Sequence, residues 1–101
     1  MQKQLYGDTV KITLSEGLTA NNIPKFNEDL SAMMPGSEEY KDFILDLANI
    51  DNIDSVGVTF VIGLFKKIKA QQKKFMVAGA SEDIKNLFKL MKLDQFFEMI
   101  E

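Results

Sequence analysis

A chain of 101 residues, 46% hydrophobic and 27% charged, can bury one core but not two. A net charge of −3 makes nucleic acid a poor partner, because phosphate-backbone binding needs a concentrated positive field. The absence of cysteine excludes disulfides, zinc thiolates and cysteine nucleophiles, and the absence of histidine excludes a Ser-His-Asp hydrolase.

The opening segment, MQKQLYGDT, has no apolar run of signal-peptide length. The longest such run, VGVTFVIGLF, is about half of a membrane span. The expectation is a cytoplasmic protein with no membrane contact. QKQLYGDTVKITLSEG alternates about a Gly7-Asp8 turn, with Val10, Ile12 and Leu14 on one face, which predicts a hairpin. Asn21-Asn22-Ile23-Pro24 offers a capping side chain and a proline suited to a first helical turn. Ile23, Phe26, Leu30 and Met33 then recur at helical spacing until Pro35-Gly36 stops them.

Residues 43–47, FILDL, read as a central strand, and ANIDNID leads from it to Ser55 and a second helix. At about 100° per residue, Gly57, Val58, Val61, Leu64, Phe65 and Ile68 share one face of that helix. Thr59, Gly63 and Lys66 lie opposite, Phe60 and Ile62 border the apolar arc, and Val56 falls outside it beside Ser55. FMVAGA, residues 75–80, is a further buried strand. Ser81-Glu82-Asp83 opens a third helix with its acids at the positive end of the dipole. Ile84, Leu87, Phe88 and Met91 form its stripe, and Asp94 is expected to cap a last short helix carrying Phe96 and Phe97. The order β-β-α-β-α-β-α-α argues for a single-domain α/β sandwich over residues 1–101, with a largely parallel inner sheet.

Ser55 could be a nucleophile, but the chain has no histidine to activate it, which leaves two readings from the residues alone. It can cap the second helix, for roughly 1 kcal/mol, or carry a modification. Val56 and its neighbours can form a docking surface or lie under adjacent loops. Asp46, Asp51 and Asp54 fall where βα loops place functional groups. A magnesium-dependent receiver would also need an acidic pair after its first strand, where only Glu16 stands, so Asp51 and Asp54 read as solvated loop acids. Lys66, Lys67, Lys69, Lys73 and Lys74 either complement the end of the second helix or steer a partner. Met33, Met34, Met76, Met91 and Met99 read as core filler.

Asp54-Ser55-Val56-Gly57, preceded by FILDLANIDNI and followed by VTFVIGLFKKIKAQQKKFMVAGA, resembles the signature of the STAS family. GLTANNIPKF upstream and SEDIKNLFKLMKLDQFF downstream extend the likeness over essentially the whole chain. The resemblance implies a mixed four- to five-stranded sheet with helices packed mainly on one face. It also implies an anti-sigma factor antagonist that works by partner switching, with no cofactor and no metal. In such a switch the unphosphorylated domain binds an anti-sigma factor that is also a serine kinase, freeing the sigma factor. The kinase writes on the serine after the aspartate, here Ser55, and a PPM-type phosphatase erases it. Asp54, Val56, Gly57, Thr59, Phe60, Gly63, Thr19 and Asn21 would form the partner surface of a chain that is monomeric when free. Two positions depart from the family pattern: Val56 where a small residue is common, and Thr19 where an acid is common. The alternative is a STAS subunit of a transport or signalling complex, binding an ATPase without switching.

Overall fold

The computed structural model describes residues 1–100. Its N-terminal alternation folds as a hairpin in which β1 (Gln2–Tyr6) pairs antiparallel with β2 (Thr9–Thr13). From β2 onward each strand is separated from the next by helix, so the pairing becomes parallel. The helices α1 (Ile23–Met33) and α2 (Ser55–Ala70) join β2 to β3 (Asp42–Asp46) and β3 to β4 (Lys74–Ala78). The helix α3 (Glu82–Leu90) and a 3-10 turn (Leu93–Gln95) lead to β5 (Glu98–Ile100), and the sheet order is β1-β2-β3-β4-β5.

Register decides where the core sits. Val10, Phe43 and Phe75 align across three strands, as do Ile12, Leu45 and Val77, and all six are buried. Onto that face pack Phe26 and Leu30 of α1, Val58, Val61 and Ile68 of α2, and Ile84 and Phe88 of α3. Phe43 stacks on Phe75 at 5.7 Å between ring centroids, and Phe75 and Phe88 each meet Phe97 edge-on. Each such side chain contributes roughly 1.5–3 kcal/mol by leaving water. The opposite face of the sheet is largely polar. There Lys11 pairs with Asp46 at 3.3 Å, Lys74 pairs with Glu98 at 3.4 Å, and Thr13 donates to Asp46. The helices therefore pack mainly on one side of a mixed five-stranded sheet, as the family resemblance implied.

The chain departs from expectation at its C-terminal end. Asp94 caps no helix: it lies inside the 3-10 turn, and Lys92, at φ 61°, precedes that turn. Phe97 is buried, whereas Phe96 stays 59% exposed. The residues after them form β5, because the free edge of β4 offers them parallel partners. A strand of three residues is too short to show a period of its own. Met91 also leaves the core, since α3 ends at Leu90 and turns it out to 42% exposure. Met76 is buried, and Met34 and Met99 pack against the core. Asn22 begins α1 without capping it, and its amide instead donates to the Gly17 carbonyl at 2.8 Å.

Candidate functional site

The connections that follow β2 and β3 leave the same end of the parallel sheet and run side by side. Leu18 is the hinge between them. Its N–H donates to Asn52 O at 3.0 Å, and its carbonyl accepts from Asp54 N–H at 3.0 Å, closing a parallel bridge between Leu18 and Ile53. The first turn of α2 is drawn onto this ladder so closely that a Cβ at Gly57 would stand 1.9 Å from the Leu18 carbonyl oxygen. Glycine is thus required at 57 by close approach of two backbones.

Asp54, not Ser55, is the N-cap of α2. Its Oδ1 accepts from Gly57 N–H at 2.8 Å and its Oδ2 from Ala20 N–H at 2.9 Å. One carboxylate therefore ties the helix start to the turn that precedes α1. The same bonds correct its reading as a solvated loop acid, which holds only for the exposed Asp51. Asp46, Asp51 and Asp54 do not converge, and among the described residues no group of three or more acids could hold a metal ion. Aspartate and serine are about equally good caps, so residue type alone could not choose between positions 54 and 55. The N–H at N3 does not choose between them either, since every residue but proline supplies one. Leu18 and Ala20 act through backbone atoms and left no mark in the sequence.

The N–H of Ala20, then that of Gly57, holds the Asp54 carboxyl below the usual carboxylate range. A depressed folded-state pKa means that the stabilisation is complete above the unfolded value, about 3.9, and fades as pH falls through the folded one. Melting temperatures measured from neutral pH down into that acid range should therefore fall less steeply for Asp54→Asn than for the parent. An unchanged acid limb would show that Asp54 carries no linkage.

With Asp54 at the cap, Ser55 becomes the first helical residue, and its side chain is exposed. Val56 beside it is 44% exposed, so no neighbouring loop covers this turn. Thr19, half-buried, accepts at its carbonyl from the N–H groups of Asn22 and Ile23, and Asn21 is exposed on the same turn. Thr59, one turn further along α2, donates its hydroxyl to Ser55 O at 3.0 Å. Phe60 is half-buried, with its ring 6.2 Å from that of Phe26. The structure thus gathers Thr19, Asn21, Asp54, Ser55, Val56 and Gly57 at one edge, with Thr59 and Phe60 behind them. Gly63 lies two turns away and lines a groove between α1 and α2. Among the described residues no helix is long and apolar enough to cross a membrane.

The whole chain, residues 1–101, matches the STAS domain model. An anti-sigma-B factor antagonist of Staphylococcus epidermidis is 26% identical over 96 residues, which span 95% of this chain and 87% of that protein. A Thermotoga maritima protein, crystallised as a candidate anti-sigma factor antagonist, superposes with a TM-score of 0.87 at 18% identity. That match covers 99% of this chain and 85% of the other. The Bacillus cell fate determinant SpoIIAA, in its phosphorylated form, superposes with a TM-score of 0.72 at 19% identity, covering 99% and 89% of the two chains.

Proposed function

The chain belongs to the STAS domain family, and from that premise we propose that it is an anti-sigma factor antagonist switched by phosphorylation of Ser55. The observation that carries this reading is the exposed hydroxyl of Ser55 at the first position of α2, between an anchored Asp54 and an exposed Val56. In the unmodified state Val56, with Thr19 and Asn21 on the facing turn, offers a small apolar surface rimmed by polar groups. Such a surface suits a partner whose own apolar side chains seek cover. The partner in this reading is an anti-sigma factor that also acts as the serine kinase.

Phosphorylation adds roughly two negative charges and three acceptor oxygens at the start of the helix. The helix dipole favours a phosphate there. The N–H of Gly57, however, is already held by Asp54. A phosphate on Ser55 would compete with that carboxylate for the same donors and repel it. Such repulsion loosens the tie to Ala20 and charges the patch around Val56, so the partner leaves. A PPM-type phosphatase would restore binding. The chain itself performs no catalysis in this scheme.

Intact mass of the protein purified from its own cells tests the reading. The expected result is a subpopulation one phosphoryl group heavier, absent from Ser55→Ala. A single unmodified species through growth, starvation and stress would overturn it in favour of a constitutive binding subunit.

A further inference from the structure

A groove between α1 and α2, with a volume of about 850 Å³, begins at Val56 beside the switch. That size falls within the roughly 300–1,000 Å³ of small-molecule sites. Its lining follows α2 from Val56 to Gln71, about 22 Å at the helical rise of 1.5 Å per residue. Ile23, Leu30, Phe60 and Leu64 give it an apolar floor. Lys67 is the one charged side chain on its walls among the described residues.

Gly63 adds an independent observation. It lies in the interior of a sixteen-residue helix, where glycine is unfavourable relative to alanine. At Gly57 a crowding backbone accounts for the choice. At Gly63 an added Cβ would meet nothing within 4 Å, and its φ is not in the left-handed region. What a side chain at 63 would occupy is the groove, so the glycine keeps it open.

We propose that this groove binds a small amphipathic anion, a single-chain carboxylate of the fatty-acid type. The chain would lie on the apolar floor across Gly63, and the carboxylate would pair with Lys67. Length, an apolar floor and a single cation fit one extended chain with one anionic head. Ser55 does not line the groove, although Val56, Thr59 and Phe60 of the candidate partner surface do; neither phosphorylation nor a partner protein enters the test.

Titrating the full-length chain with sub-micellar dodecanoate, read by amide chemical shifts and calorimetry, tests the assignment. Shifts should cluster at Thr59, Gly63 and Lys67. Decanoate, two methylenes shorter, should bind about tenfold more weakly, and dodecanol should bind more weakly than dodecanoate. Lys67→Gln should erase the preference for the carboxylate over the alcohol. Gly63→Leu should abolish binding while leaving the melting temperature equal or higher, since leucine is the better helix former. Absence of shifts with dodecanoate would overturn the proposal, as would undiminished binding by Gly63→Leu. A carboxylate preference that survives Lys67→Gln would do the same.

Discussion

Gly57→Ala should destabilise the fold by about 3 kcal/mol, lowering the melting temperature by about 12–24 °C for a domain of this size. The added methyl group would fall 1.9 Å from the Leu18 carbonyl oxygen and 2.9 Å from the Leu18 Cβ. Neither obstacle is the end of a flexible side chain. Leu18 itself is fully buried and bonded through its backbone to both Asn52 and Asp54. To make room, the first turn of α2 must lift away from the ladder, which stretches the bonds that Asp54 makes to Ala20 and Gly57. Gly63→Ala is the matched control in the same helix. There the methyl group meets open space, and the substitution should stabilise by about 0.5–1 kcal/mol. Thermal or urea unfolding of the two variants reads both effects. If Gly57→Ala melts with the parent, the close approach of α2 to Leu18 is not part of the fold in solution.

That contrast shows what a sequence carries and where it stops. The 3.6-residue period of α2 placed both glycines correctly, Gly57 on the packed side and Gly63 toward solvent. Periodicity could not say that Gly57 faces a backbone carbonyl from a distant loop, because that contact depends on how two connections emerge from adjacent strands. The cap illustrates the same limit. Positions 54 and 55 both carry good capping residues, and the choice fell to Asp54 because its second oxygen also reaches Ala20 N–H. A bond across 34 residues leaves no local signature. The strands β2, β3 and β4 were legible because each buries a full face or both faces. β5 was not, because three residues become a strand only beside the edge of β4. The groove belongs to the gap between α1 and α2, and no single segment encodes a gap.

On the proposed function, Ser55→Glu should weaken binding of the anti-sigma factor at least a hundredfold, about 2.7 kcal/mol, while Ser55→Ala binds like the parent. The position can accept the new side chain without loss of fold. Ser55 is exposed, and an acid in the first helical turn is favourable to the dipole. Melting temperatures of parent and variant should therefore agree to within a few degrees, by about 1 kcal/mol at most. The loss must then come from the interface. A carboxylate at 55 would stand beside Asp54, whose own charge is fixed in place by two N–H groups, so it gains no new donor and adds a second like charge. Burying that pair under a partner, next to Val56, carries a desolvation cost that the unmodified hydroxyl does not. The salt dependence separates the two contributions. Repulsion between exposed charges is screened at high ionic strength, where the Debye length shrinks to about 3 Å at 1 M. Desolvation is not screened. Affinity that recovers fully in high salt would assign the switch to long-range repulsion. A loss that persists would place it in the contact around Val56, and equal affinity of Ser55→Glu and parent at low salt would remove Ser55 from the interface altogether.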